Sequence, residues 1–193
     1  MNYDNILFFD TETTGLPPKG CDPITDFNRY PHIVQISWSI NDENFDFIIK
    51  PDGWTIPPQA TAIHGITNED AQNGVKLDFA LRLFSMDLIR ADKICAHNAD
   101  FDIGMIISNA ARVTEKCGRV LEGLFKHITC IDTMMLTIDF VGACFPDGTP
   151  GKYPKLEELY YKLFNDTFPA HNSMQDVWAL KKCYYELTKK GII

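Results

Sequence analysis

The stretch "ILFFDTETTG" (residues 6–15) sets Asp10 and Glu12 two positions apart behind a run of apolar residues. Alternate side chains of an extended strand share a face. Both carboxylates therefore point the same way if the strand persists through Thr11. Two like charges on one face repel, and burial deepens the penalty. A divalent cation removes both costs; so does a polar turn that leads the acids into solvent, and the stretch by itself leaves both readings open. Two further acids open helical patterns. Asp102 lies in "HNADFDIGM" (97–105), where Asp100 can cap a helix and Asp102 sits in its first turn. Asp176 lies in "HNSMQDVWAL" (171–180), at capping-box spacing from Ser173. Each has a structural explanation alone. Together they are an acid pair ending a strand and two acids starting helices, and in sheet-and-helix folds sites gather at such ends. Four oxygen donors without a cysteine ligand suit Mg²⁺ or Mn²⁺. His171, five residues before Asp176, is placed to take a proton from water. These parts fit phosphodiester hydrolysis assisted by two metal ions about 3.5–4 Å apart.

The elements that would position these groups can be read from periodicity. Residues 5–10 form a strand. In "IVQISWSI" (33–40) Val34, Ile36, Trp38 and Ile40 alternate with Gln35, Ser37 and Ser39, and 45–50 alternate likewise across the short polar link "NDEN". This predicts an antiparallel hairpin. Segment 51–60, with three prolines and a glycine, reads as loop. Helical spacing follows over 77–91 (Leu77, Leu81, Phe84, Leu88), then a short strand at 93–98 and a helix over 100–117 with Ile106, Ala110, Val113 and Cys117 on one stripe. A helix at 119–126, a strand at "ITCID", a helix at 132–140, a loop at 145–154 and helices at 155–164 and 174–189 complete the pattern. The last aligns Val177, Leu180, Tyr184 and Leu187. Strands first, then alternation with helices, predicts a mixed sheet packed by helices. No repeat or linker divides the chain, so residues 1–193 are expected to be a single domain.

Composition narrows the classes. Of 193 residues 45% are hydrophobic and 23% charged, as in a globular domain with a sizeable core. No apolar run approaches the roughly 18 residues needed to span a bilayer, and "MNYDNIL" is not a signal peptide, so no membrane partner is expected. The six cysteines include no C-x-x-C pair. Cys95 and Cys183 sit in apolar runs as small core residues, and free thiols in a reducing cytoplasm are expected. The formal charge of −8 argues against coating a duplex but not against gripping the end of a short strand. Lys181, Lys182, Lys189 and Lys190 read as a solvated helix face.

In this order, "FFDTETTG", "HNADFDIGM" and "HNSMQD" resemble the three motifs of the DEDDh 3′–5′ exonucleases, the group that includes the epsilon proofreading subunit of bacterial DNA polymerase III, ribonuclease T and oligoribonuclease. "AIHGITNED" (62–70) is similar to the His-Gly-Ile-Thr loop of the epsilon-like branch. The resemblance runs from about residue 5 to 188. It implies an α/β, ribonuclease-H-like fold: a five-stranded mixed sheet with antiparallel opening strands and flanking helices. It implies that Asp10, Glu12, Asp102 and Asp176 organise two divalent metal ions, Mg²⁺ or Mn²⁺, with Asp10 bridging and Asp102 acting partly through water. His171 would be the general base. Thr13, His64, Asn98 and Phe101 match the family's contacts to the terminal nucleotide. The implied partners are 3′ ends of single-stranded nucleic acid, DNA favoured over RNA, with release of nucleoside 5′-monophosphates. DNA polymerase association belongs to the epsilon branch, but the chain ends at Ile193 with no obvious polymerase- or clamp-binding tail, so stand-alone repair, RNA trimming or recombination-linked activity is open. Two alternatives stand beside this reading. One is a haloacid-dehalogenase-like phosphatase, whose D-x-D-x-T start "FFDTETT" resembles except at Glu12. The other is an inactive nucleic-acid or protein-binding module on the same fold.

Overall fold

The computed structural model describes residues 5–193. Its core is the expected five-stranded mixed sheet. Strands β1 (Ile6–Thr13), β2 (Ile33–Ile40), β3 (Glu43–Ile48), β4 (Lys93–Ala96) and β5 (Thr129–Asp132) lie in the order β3-β2-β1-β4-β5. β1 pairs antiparallel with β2 and β2 with β3, whereas β4 and β5 run parallel to β1. The parallel half follows from its connections: helices join β1's neighbour to the next strand, as crossovers require.

Three helices are placed close to expectation: α3 (Leu77–Arg90), α8 (Leu156–Phe164) and α9 (Ser173–Lys189). Three expectations are corrected. The predicted loop at 51–60 leads into α1 (Pro58–His64), which is followed by α2 (Asn68–Gln72). Pro58 occupies the first turn of α1, where a missing N–H costs nothing, so proline starts this helix and does not exclude one. The two helices predicted over 100–117 and 119–126 are present as α4 (Ala99–Val113) and α5 (Glu115–His127), with the break four residues earlier than predicted. Thr114 separates them in extended geometry, φ −158°, and its hydroxyl caps α5 by accepting from the Cys117 N–H at 3.1 Å. Gly118 lets the two helices meet closely, because a Cβ there would stand 2.8 Å from that of Ala111. The segment 132–140 holds two single-turn helices, α6 (Thr133–Leu136) and α7 (Ile138–Val141).

The period of β1 divides the core into two layers. Leu7 and Phe9 join Trp38, Phe84, Met105 and Ile106 on the α3–α4 side. Ile6 and Phe8 face the other way and pack with Met174, Val177 and Leu180 of α9. Each large apolar side chain buried in these layers contributes about 1.5–3 kcal/mol. β2 is buried along its whole length because α9 covers its polar face too. There Ser37 and Gln35 donate to Asp46 at 2.8 and 2.7 Å, which satisfies groups otherwise costly to bury. No helix among the described residues is long and apolar enough to cross a membrane.

Candidate active site

The same alternation delivers the acids. Asp10 and Glu12 follow Ile6 and Phe8 on the α9 face of β1, and the pairing with β2 shifts register between Glu12 and Thr13. Such irregularities re-aim side chains at sheet ends. From the facing helix comes Asp176, and one carboxylate oxygen from each of Asp10, Glu12 and Asp176 lies within 4.8 Å of the others. The start of α9 is fixed against β1. Ser173 Oγ donates to the Asp10 carbonyl at 2.9 Å, and the Ser173 N–H donates to Gln35 Oε1 at 3.2 Å. Asn172, rather than Ser173, is the helix cap, accepting from the Gln175 N–H at 3.3 Å.

Asp102 approaches from the opposite face. Thr11 lies between the two acids and so points to the α4 side, where its N–H and its Oγ both donate to Asp102 Oδ1, at 2.9 and 2.6 Å. Asp102 is fully buried and stands outside the three-acid group, with Oδ2 left for other partners. Its helix begins at Asn98, not at Asp100. Asp132, at the end of β5, accepts from the Asn98 and Ala99 N–H groups at 3.1 and 3.0 Å and from Met134 at 2.9 Å, so one carboxylate anchors the starts of α4 and α6.

The electrostatics of this arrangement are unfavourable without a counter-charge. Burial, and then the charges of Asp102, Asp176 and Glu12, push the Asp10 carboxyl well above the usual carboxylate range. Burial and the neighbouring Asp176 and Asp102 raise Glu12 to about 8. Asp102 rises to about 7 through burial, against the pull of its two Thr11 hydrogen bonds. Asp176 rises to about 7 through burial, partly offset by the backbone N–H groups of His171 and Asn172. A cluster whose members all resist ionisation while converging on one point fits a divalent cation with oxygen ligands.

The profile of the family described as Exonuclease matches residues 7–184. The chain belongs to that family. DNA polymerase III subunit epsilon of Buchnera aphidicola subsp. Schizaphis graminum is 28% identical over 194 residues, covering 97% of this chain and 76% of that protein. Exonuclease I of E. coli in complex with a dA16 oligonucleotide superposes with a TM-score of 0.69 at 21% identity, covering 97% of this chain. This chain spans only 41% of the length of that longer chain. Exonuclease X in complex with 5′ overhanging duplex DNA gives a TM-score of 0.58 at 21% identity, covering 96% of this chain and 93% of that one. These likenesses place the mixed sheet in the ribonuclease-H-like fold, and the resemblance to the DEDDh 3′–5′ exonucleases holds over nearly the whole chain. The family assignment removes the aspartyl-phosphate phosphatase alternative.

The remaining residues expected at the exonuclease site are placed less uniformly. His171 is exposed in the turn before α9, in the left-handed region at φ 66°, and its ring has no hydrogen-bond or ion-pair partner among the described residues. Side chains other than glycine adopt that backbone uncommonly, and such strain concentrates at functional turns. His64 ends α1 with its ring buried. Its Nδ1 accepts from the Ile66 N–H at 3.1 Å, which puts the ring proton on Nε2, and that buried atom has no partner. Asn98 is also left-handed, at φ 74°. Phe101 is half-buried against the core edge, and Thr13 Oγ donates to the Gly15 carbonyl at 2.7 Å.

Sequence reasoning missed Thr11, Gln35, Asp132 and Ser173 as positioning residues. Only Thr11 carried a signal: the period that aligns Asp10 with Glu12 sends it to the other face. Thr11→Val is expected to remove one of the two bonds to Asp102. A hydrogen bond to a charged group contributes about 1.5–3 kcal/mol, so the melting temperature should fall by roughly 3–12 °C and the rate about 10- to 100-fold. The check is the divalent-ion dependence of the rate, which should shift to higher concentration.

Proposed function

We propose that this 3′–5′ exonuclease shortens single-stranded nucleic acid, DNA in preference to RNA, releasing nucleoside 5′-monophosphates with the help of two Mg²⁺ or Mn²⁺ ions. The observation that carries the reading is the convergence of Asp10, Glu12 and Asp176 to within 4.8 Å, with Asp102 held against Thr11 beside them. Asp10, Glu12 and Asp176 would hold the ions, with Asp102 supporting them from the other face of β1. When bound, the ions supply Lewis acidity and charge neutralisation at the scissile phosphate.

The chain's own groups do the rest. Asp10 and Glu12 sit on a strand fixed on both sides, so their oxygens need no reorganisation during the reaction. His171 accepts the proton of the attacking water as its oxygen bonds to phosphorus; the bond to the 3′ oxygen breaks, and that oxygen takes a proton from solvent water as it leaves. The exposed strained turn leaves the His171 ring free to meet a substrate that arrives from solvent. The His64 Nε2–H is an unpaired donor for the terminal nucleotide, a group that costs stability unless a ligand completes it. Phe101 offers a sequence-tolerant stacking face, and Thr13 and Asn98 offer polar contacts. The site is read as part of one exonuclease domain working in the cytoplasm.

The test is a strand labelled at its 3′ end, incubated with Mg²⁺ or Mn²⁺. Labelled 5′-monophosphate should be released first, single strands should be cut faster than duplexes, and a 3′ phosphate should block the reaction. Digestion of the blocked strand would show endonucleolytic cleavage, and no release with either metal would show a binding module.

A further inference from the structure

A second concave surface lies at the start of β2, between the start of α3 and the end of α4. It is a cavity of about 690 Å³ bordered by His32, Trp54, Lys50, Lys76, Asn109 and Arg112. Its wall is an aromatic pair: the His32 and Trp54 rings lie 8° from parallel with centroids 4.7 Å apart. The pair is linked directly to the catalytic strand. The Thr14 N–H donates to the His32 carbonyl and the His32 N–H to Thr14 Oγ1, both at 2.9 Å, and Thr14 lies two residues beyond Glu12. Burial, followed by the charge of Arg112, pushes the His32 pKa down to about 4, so at neutral pH this ring is an uncharged aromatic surface.

The rim is cationic. Lys50 and Lys76 come from two segments that bridge side by side, with the Val75 N–H donating to the Ile48 carbonyl at 2.9 Å and the Lys50 N–H to the Val75 carbonyl at 2.8 Å. Gly74 permits this approach, since a Cβ there would lie 2.5 Å from the Ile48 carbonyl oxygen. Both ammonium groups are exposed and have no partner among the described residues. Arg112 plays a different part. Its guanidinium donates to the carbonyls of Phe27, Tyr30 and Pro31, so it builds the wall. Asp52 and Asp78 also border the cavity, which leaves one net positive charge on a chain whose formal charge is −8. That local balance disfavours a polyanion less than the chain's overall charge does.

We infer that this cavity is a subsite for the substrate strand, taking a nucleotide beyond the first on the 5′ side of the scissile bond, its base against the Trp54–His32 pair and its phosphate beside Lys50 and Lys76. Aromatic faces with flanking lysines are how single strands are held without sequence preference. The inference rests on the proposed exonuclease function and specifies where the strand runs.

The test compares a dodecanucleotide with a dinucleotide. In an Asp10→Asn background, which keeps strands intact, Trp54→Ala should weaken dodecanucleotide binding about 5- to 100-fold, and Trp54→Phe should restore most of it. Lys50→Ala with Lys76→Ala should reduce the salt slope of binding by about 1.4, the value for two lost phosphate contacts on a single strand. With Asp10 intact, all these variants should cut the dinucleotide at the wild-type rate. Unchanged dodecanucleotide affinity in Trp54→Ala and in the double lysine variant, with normal cutting, would overturn the subsite alone. Loss of dinucleotide cutting in Trp54→Phe would place the pair in the catalytic pocket and also overturn it. Mononucleotide binding abolished by Trp54→Ala without any effect on the dodecanucleotide would show a separate nucleotide site. Failure of the wild-type protein to bind or cut any strand would refute the exonuclease function itself.

Discussion

Asp10→Asn is expected to abolish strand shortening while making the metal-free protein more stable. Asp10 is half-buried, and burial and its neighbours Asp102, Asp176 and Glu12 all disfavour its charge. Removing one partner of a cluster of like charges lowers repulsion and leaves an amide that can still hydrogen-bond. A gain of about 1–3 kcal/mol is expected, and for a domain of this size 1 kcal/mol raises the melting temperature by about 2–4 °C. The rate should fall about 10³-fold or more, since one of the three converging carboxylates is lost. The pH dependence has a definite sign. With Glu12 at about 8 and Asp102 and Asp176 at about 7, the folded protein holds protons that the unfolded chain releases near 4. The unfolded state therefore binds fewer protons across this interval, and stability declines as pH rises. This contribution is fully present below about 4 and is lost as pH climbs through about 7–8. The metal-free wild type should melt at lower temperature at pH 8.5 than at pH 6, a divalent ion should reverse the difference, and Asp10→Asn should flatten it. Thermal melts with and without chelator measure all three.

His171→Ala is expected to separate chemistry from metal binding. The ring makes no hydrogen bond or ion pair to the acids, so its removal should leave ion affinity unchanged. As the proton acceptor it should contribute about 10²–10⁴-fold in rate. Single-turnover rates and Mn²⁺ titrations on the same protein read the two quantities independently. Added imidazole should restore part of the lost rate by supplying the missing base. A variant with normal turnover and weakened Mn²⁺ binding would assign His171 to the ion site. The backbone of His171 has a role of its own, because its N–H lowers the charge penalty on Asp176, and a side-chain substitution preserves that contact.

The acids were legible because their positions follow from periods that the backbone imposes. An i, i+2 spacing in a strand fixes the shared face of Asp10 and Glu12, and helix starts attract Asp102 and Asp176 whether or not they catalyse. The antiparallel opening was legible from alternation around "NDEN". The strand order was not, since order depends on which helix covers which face. Thr114 broke a helix whose apolar stripe continued through it, because capping competes with periodicity wherever a hydroxyl can satisfy the next turn. Asp132 and Ser173 were hidden for a related reason. Their hydrogen-bond partners lie 33 and 163 residues away, and nothing in local spacing announces such contacts. Asp102's separation from the other acids was implicit in Thr11, the residue between the two most conspicuous carboxylates.

The claim on which the rest depends is that Asp10, Glu12 and Asp176 share a divalent cation. Anomalous diffraction from crystals soaked in Mn²⁺ tests it most directly. The account predicts a peak within coordination distance of all three carboxylates, absent from Asp10→Asn crystals soaked identically. Strong Mn²⁺ peaks elsewhere with none between these acids would contradict it.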